Sequence, residues 1–264
     1  MRPIDVQDWL LTKTKSMGEL SKAVLRLTLD HAVMLDVIAA NPAARRYRLG
    51  EDTRRDEGAY TPGQLGELWQ VVRGSVAEVP FLLCAHAGLR VGEACAVRLC
   101  DVTWREDGAS LVRVRVQLTP EGEVTDRLKT TASRRTVGLP DPWAARLREI
   151  AHALPDGAVY LNDNGCGEPV PRKTVNDWWR RLVKASDVPY RSMQALRPSF
   201  QTVWASVVEG VVCPSIRLVC SMGTPAQCSY DRPDEDAVAN VMIACTRNRD
   251  GWDKLGQNPK SQAV

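Results

Sequence analysis

Histidine is scarce in this sequence. Only His31, His86 and His152 occur in 264 residues, which weakens any mechanism that needs several imidazoles. No run of about 18 apolar residues is present, so no membrane-spanning helix is expected. The opening Met1-Arg2-Pro3-Ile4-Asp5 lacks the apolar core of a secretory signal. The eight cysteines, at 84, 95, 100, 166, 213, 220, 228 and 245, include no C-x-x-C pair and have no histidine at ligand spacing. Neither a zinc site nor a disulfide framework is read from them. Most lie in apolar stretches such as Phe81-Leu82-Leu83-Cys84. The expectation is reduced, buried thiols in a cytoplasmic protein, with no metal and no other cofactor. A strong net charge is missing too: Lys+Arg 35 against Asp+Glu 32 leaves +3. That excludes a histone-like tail but says nothing against local clusters of charge.

What is present reads as a globular, mainly α chain of the α+β kind. Leu20, Val24, Leu27, Leu35 and Ile38 recur near the helical period, which predicts a helix over 20–39 with those residues inward. Asn41-Pro42 ends it, because the residue before proline avoids the helical region. A polar, charged stretch follows and reads as a linker. The expected organisation is a short helical domain over 1–45, a linker over 46–59, a larger domain over 60–246 and a polar tail over 247–264.

Thr61-Pro62-Gly63-Gln64 carries an N-cap, a proline for the first helical position and the glutamine of a capping box, so it opens the larger domain. Leu65, Leu68 and Val72 give that helix an inner face. Further helices are expected over 78–86, 93–99, 142–153, 171–186, 193–209 and 234–246. Between 101 and 139 the period changes. Leu111-Val112-Arg113-Val114-Arg115-Val116-Gln117 alternates apolar and basic residues, as a strand with one wet face does. Glu121-Gly122-Glu123 is a turn, and Arg134-Arg135-Thr136-Val137-Gly138-Leu139 is a second strand ended by Pro140. A small antiparallel sheet among helices is the result.

Four segments carry chemistry. In Gly88-Leu89-Arg90-Val91-Gly92-Glu93 an arginine stands on a glycine turn that feeds a helix. A guanidinium presented there can fork onto two phosphate oxygens, although a surface arginine in a glycine turn reads the same way. Lys129, in Leu128-Lys129-Thr130-Thr131-Ala132-Ser133, is placed to donate a proton from a hairpin tip, or is simply a solvated turn residue. Arg197 lies beside the apolar face of Leu196, Phe200 and Val203, and a cation there needs an anionic partner. Glu93, Asp101 or a DNA phosphate would serve. Tyr230 precedes a predicted helix in Ser229-Tyr230-Asp231-Arg232-Pro233, where a lone tyrosine usually packs.

Taken in chain order, these segments resemble the tyrosine recombinase (phage integrase) family over roughly 20–246. AGLRVGEACAVRLCDV is similar to that family's first arginine box, and LKTTASRRTVGLP to its lysine hairpin and the following strand. MQALRPSFQTVWASVVEGV is similar to its second box, and SYDRPDEDAV to the region of its nucleophilic tyrosine. The resemblance implies site-specific DNA recombination or integration through a 3′-phosphotyrosyl link, which needs neither metal nor nucleotide. Arg90 and Arg197 would then clamp the phosphate, Lys129 would protonate the leaving oxygen, Tyr230 would attack, and Glu93 would support the site. Arg113, Arg115, Arg134, Arg135, Arg180 and Arg181 are the expected DNA-contacting cations. Trp178-Trp179 is read as helix core before base-stacking surface. The partners implied are double-stranded DNA at an attachment site and further copies of the chain, as a tetramer on that DNA.

The chain departs from the family at its histidines. Gln194 and Pro198 stand three residues before and one after the second arginine, and Ser221 stands nine before the tyrosine. Gln194 can hydrogen bond but takes no proton at neutral pH. Room for about two helices before residue 42 also implies a shortened core-binding domain. Two alternatives therefore stand beside an active or impaired recombinase. One is a non-cleaving DNA-binding remnant of an integrase. The other is a helical protein-interaction scaffold whose arginines form buried ion pairs.

Overall fold

The structure is a computed structural model that describes residues 1–51, 58–128, 134–207 and 243, with side chains through 203 in the last helix. The chain divides into two compact units, Met1–Asp56 and Glu57–Val264.

The first unit is built on α1 (Pro3–Leu11) and α2 (Lys15–Met34). Pro3 takes the first helical position of α1, and the Asp5 carboxylate accepts from the Arg2 backbone N–H at 2.7 Å. Val6 and Leu10 of α1 are buried. Gln7 and the Arg48 backbone exchange two hydrogen bonds, 2.8 and 2.9 Å long, which hold the returning chain to α1. Asn41 stops α2's continuation by tying back to it, donating to the Arg26 carbonyl at 2.9 Å and to Asp30 at 2.7 Å.

The apolar stripe predicted as the inner face of α2 is not inner. Leu20, Val24, Leu27 and Leu35 are exposed and Ile38 is half-buried. Gly18 is the buried residue of α2, and a Cβ there would stand 3.2 Å from the Leu49 side chain. The missing side chain lets the chain at Leu49 approach on that side, so packing follows Gly18 rather than the leucine stripe. The helix also ends at Met34, short of 39.

In the second unit the capping box opens α3 (Pro62–Val72), with Thr61 Oγ1 accepting from the Gln64 N–H and Gln64 Oε1 from the Thr61 N–H. Leu65, Leu68 and Val72 are buried as expected. α4 (Glu78–His86) is buried along its whole length, which is why it carries no amphipathic pattern. Its one carboxylate, Glu78, is held by Arg146 at 2.7 Å. α5 (Val91–Cys95) follows the glycine turn and is shorter than the predicted 93–99.

The strands are β1 (Val102–Trp104), β2 (Ser110–Val114), β3 (Gln117–Leu118), β4 (Val124–Thr125) and β5 (Arg135–Leu139). β1, β2 and β5 form an antiparallel sheet in the order β1-β2-β5, and β3 pairs with β4 in a separate hairpin. The single strand predicted over 111–117 is thus split after Val114. Its two parts serve different partners, with Val114 opposite Arg135 and Gln117 opposite Thr125.

α6 (Trp143–Ala153), α7 (Arg172–Lys184) and α8 (Leu196–Val207) complete the described architecture. Trp179 of α7 is core and donates its indole N–H to the Arg191 carbonyl at 2.9 Å, while Trp178 is exposed, against the expectation that both are core. The predicted helix over 234–246 and the tail over 247–264 lie outside the described residues, Ile243 aside. That residue is buried with Ala109 and Leu111. Cys84 and Cys95 are buried thiols, but Cys100 and Cys166 are exposed, against the expectation of burial. The other four cysteines lie outside the described residues. Among the described residues no helix is long and apolar enough to cross a membrane.

His86 stacks on Trp143 at 3.9 Å between ring centres and meets Phe81 edge-on. Burial pushes its pKa from 6.5 to about 3. In the unfolded chain His86 takes up a proton as the pH falls through 6.5, whereas in the fold it stays neutral to about 3. The unfolded state binds the extra proton within that window, so stability falls as the pH drops across it. Each pH unit there weakens the fold by about 1.4 kcal/mol through this residue. Replacing His86 by Phe is expected to flatten the fall of the thermal midpoint between roughly pH 6 and pH 4. An equally steep fall in His86→Phe would contradict this.

Candidate active site

The site is organised around the turn into α5. Gly88 adopts φ +67, a conformation glycine takes without steric cost, and turns the chain out of α4. Arg90 then serves as N-cap of α5 with an extended backbone, which puts Glu93 at the third helical position. The Glu93 carboxylate accepts from the Arg90 backbone N–H at 2.9 Å and from Arg90 Nη1 at 2.9 Å. A local capping box thereby fixes the arginine's own side chain. The Arg90 side chain keeps 28% of its surface, whereas Glu93 keeps 1%.

Arg135, the first residue of β5, reaches the same carboxylate. It donates to Glu93 Oε1 at 3.3 Å and to Oε2 at 2.8 Å, and its own side chain is 9% exposed. This is a bidentate fork, the strongest geometry an arginine offers a carboxylate. Arg197, the second residue of α8, approaches from a third direction. Its Nη1 donates to the Gly88 carbonyl at 2.7 Å and stands 4.0 Å from Glu93 Oε2. Three guanidiniums from three separate segments therefore surround one carboxylate.

Burial pushes the Glu93 carboxyl up, but the charge and hydrogen bonds of Arg135, with the backbone and side-chain bonds from Arg90, outweigh it and hold it below the usual carboxylate range. Glu93 is consequently ionised at neutral pH. Among the described residues, three guanidiniums share this one carboxylate. The Arg90 and Arg197 forks, locally fixed and partly exposed, are of the type that suits a phosphate diester whose charge grows during reaction.

α8 supplies the rest of the second box. Leu196, Phe200 and Val203 are buried, as the apolar pattern predicts. Pro198 falls in the first turn of α8, where its missing N–H removes no bond within the helix. Gln194 is exposed on the 3-10 turn Met193–Ala195 that precedes the helix. Gly92 seats α5 on the β3–β4 hairpin, since a Cβ there would meet the Leu118 carbonyl at 2.7 Å.

Arg90, Glu93 and Arg197 are thus brought together, with Arg135 behind them. Lys129, Ser221 and Tyr230 lie outside the described residues. Arg135 is placed differently from expectation. Proposed as a DNA-contacting cation, it is buried and committed to Glu93, because β5 is buried at every residue and offers no open face. The remaining basic residues are spread over other surfaces. Arg113 donates to Thr103 Oγ1 at 3.1 Å across the sheet, and Arg115 stands 3.6 Å from Asp101. Arg134 is exposed and stands 3.6 Å from Asp126. Arg180 pairs with Asp177 at 3.0 Å on the outer face of α7, where Arg181 is also exposed.

One residue passed over in the sequence also belongs here. Arg172 opens α7 and donates to the Leu118 carbonyl at 3.5 Å, beside Gly92. Its position in Pro171-Arg172-Lys173, a basic start to a predicted helix, was the available signal.

No family model matches the chain. A relative described as "Tyrosine recombinase XerC-like", from Caldanaerobacter subterraneus subsp. tengcongensis, is 22% identical over 234 residues, covering 76% of this chain. The chain spans 60% of that relative's length. Among solved structures, the Tn1549 transposon integrase in complex with a circular intermediate DNA superposes with TM-score 0.67 at 18% identity, over 91% of this chain and 84% of the other. A lambda integrase dimer bound to a COC' core site superposes with TM-score 0.61 at 13% identity, over 89% of this chain and 83% of the other. The resemblance to tyrosine recombinases read from the four sequence segments is therefore matched by a relative in sequence, and the fold is that of these integrases.

If Glu93 organises the site, its neutral isostere leaves three guanidiniums without their shared anion. Removing one partner of a buried ion pair costs about 3–5 kcal/mol, and Glu93→Gln is expected to lose stability on that scale in urea denaturation. A loss below about 1 kcal/mol, the level of an exposed pair, would show that the cluster is not a structural centre.

Proposed function

We propose that the chain is a site-specific DNA recombinase, acting in the cytoplasm, that cuts and rejoins strands through a 3′-phosphotyrosyl intermediate. The observation that carries this reading is the convergence of Arg90 and Arg197 on Glu93. Two arginines far apart in sequence meet at one buried carboxylate, Arg90 bonded to it and Arg197 4.0 Å from it on the Gly88 carbonyl, and both retain exposed surface. The fold shared with integrases solved in complex with DNA supports it, as does the order of the four segments.

In this reading Arg90 and Arg197 hold the nonbridging oxygens of the scissile phosphate, whose charge rises in the transition state. The Tyr230 hydroxyl attacks phosphorus. The bond from its oxygen to phosphorus forms as the bond to the 5′-oxygen breaks, and the phenol proton passes to water. The leaving 5′-oxygen takes a proton from the Lys129 ammonium, which is then reprotonated from water. The phosphodiester is exchanged for a phosphotyrosyl ester of similar energy, so a 5′-hydroxyl of another strand reverses the step. Gln194, Pro198 and Ser221 stand where the family places imidazole or indole. Gln194 and Ser221 can each offer a hydrogen bond to the phosphate but neither transfers a proton at neutral pH. Strand exchange joins two duplexes, so the working form is a set of copies assembled on DNA, taken here as a tetramer.

A second reading, a non-cleaving DNA-binding remnant, is favoured by the same three substitutions. A third, a protein-interaction scaffold, is favoured by the burial of Arg135 in an ion pair. One assay separates them. The full chain is incubated with nicked suicide duplexes of randomised core sequence, and covalent adducts are recovered from a denaturing gel and sequenced. The recombinase reading expects an adduct that Tyr230→Phe abolishes. An adduct that survives Tyr230→Phe, or DNA binding without adduct, contradicts it, and absence of DNA binding leaves the scaffold.

The spread of the other basic residues makes a separate prediction. Arg180→Ala with Arg181→Ala is expected to weaken DNA binding for all sequences alike and to reduce the slope of log affinity against log salt by about two. An unchanged slope would remove α7 from the DNA face.

A further inference from the structure

Arg135 is not explained by the roles above. It was expected to meet DNA, and it is buried instead. It is the first residue of β5, opposite Val114 of β2. Its side chain spends both terminal nitrogens on Glu93, at 3.3 and 2.8 Å. The Arg90 backbone and side chain take the same two oxygens, at 2.9 Å each. Arg197 stands at 4.0 Å, the outer limit of an ion pair.

We propose that Arg135 is a positioning residue for the phosphate-holding arginines: it saturates Glu93 from the sheet side, so that Arg90 and Arg197 are oriented by that carboxylate without being neutralised by it. The inference rests on the reading of Arg90 and Arg197 as a phosphate clamp. It touches no reacting atom.

Two effects of Arg135 act on the other arginines. The first is competition. Glu93 is ionised and almost wholly buried, so its oxygens must be satisfied by whatever cations stand nearby. With Arg135 in place, part of that demand is met from beneath. Without it the whole charge falls on Arg90 and Arg197, which would be drawn inward against the carboxylate and away from a phosphate. The second is charge. Removal of Arg135 takes one positive charge from beside the carboxylate that Arg90 and Arg197 share. A low-dielectric setting transmits that difference to a phosphate a few ångströms away even though Arg135 itself is out of reach.

The residue type fits the task. A planar fork meets both carboxylate oxygens at once, and a guanidinium stays charged when buried. Lysine at this position keeps the charge but meets one oxygen at a time. A merely structural ion pair would tie β5 to α5 and have no effect on anion binding beyond the stability it supplies.

The test is a titration of the full chain with inorganic sulfate, read from the guanidinium NMR signals of Arg90 and Arg197. In the unsubstituted protein both signals are expected to shift. In Arg135→Gln the sulfate affinity is expected to fall about tenfold or more, as loss of a nearby unit charge in a partly buried site requires. Arg135→Lys is expected to recover most of that loss. Leu139→Ala, on the same strand and fully buried, destabilises the sheet without touching Glu93, and its sulfate affinity is expected to stay near that of the unsubstituted protein. Unchanged affinity in Arg135→Gln, or an equal loss in Leu139→Ala, overturns the proposal. So does a failure of both arginine signals to respond in the unsubstituted protein. Sulfate binding that depends on Arg135 in a protein that never forms a DNA adduct separates the two levels: the positioning role then stands and the recombinase reading falls.

Discussion

One carboxylate fixes this site. Glu93 is almost completely withdrawn from water, and an ionised group in that position must be paired. The pairing draws on three segments that are remote in sequence, namely the turn at Arg90, the start of β5 at Arg135 and the start of α8 at Arg197. Each element is held elsewhere by apolar packing, but their mutual orientation at the site is set by this ion cluster. Among the described residues, three cations share that one anion. The same constraint serves the fold and fixes the two arginines proposed to hold a phosphate.

Local chemistry made much of the architecture readable. The capping box at Thr61 and Gln64 is formed as its residues predict, because capping depends on a few adjacent groups. The helix over 78–86 and the strand ending at Leu139 follow from short-range pattern in the same way. Arg90 and Glu93 are three residues apart at a helix start, so their hydrogen bonds are also local. Failures occur where the deciding contact is distant. Which face of α2 packs depends on Leu49 meeting Gly18, thirty-one positions away in the chain. The strand over 111–117 splits because β5 claims one part and β4 the other. Arg135 reads as one more basic residue in an exposed run, and its partner Glu93 lies forty-two positions away in the chain.

The departures from the family pattern fall on proton-transferring groups, while the arginines and their carboxylate are intact. These are separable functions. Holding a phosphate depends on fixed positive charge, which this chain retains. Moving protons depends on groups that titrate near neutrality, and Gln194, Pro198 and Ser221 do not. Loss of one acid–base group typically lowers a rate by about 10²–10⁴-fold, whereas loss of the clamp removes the site for the phosphate itself.

The central claim is that the arginine cluster around Glu93 receives a DNA phosphate. A crystal structure of the full chain with a bound nicked duplex tests it most directly. The account predicts a backbone phosphate within hydrogen-bonding distance of both Arg90 and Arg197, with Glu93 and Arg135 paired behind them and in contact with no DNA atom. A duplex lying on another face, or Arg90 and Arg197 both turned inward onto Glu93 with no phosphate before them, would contradict it.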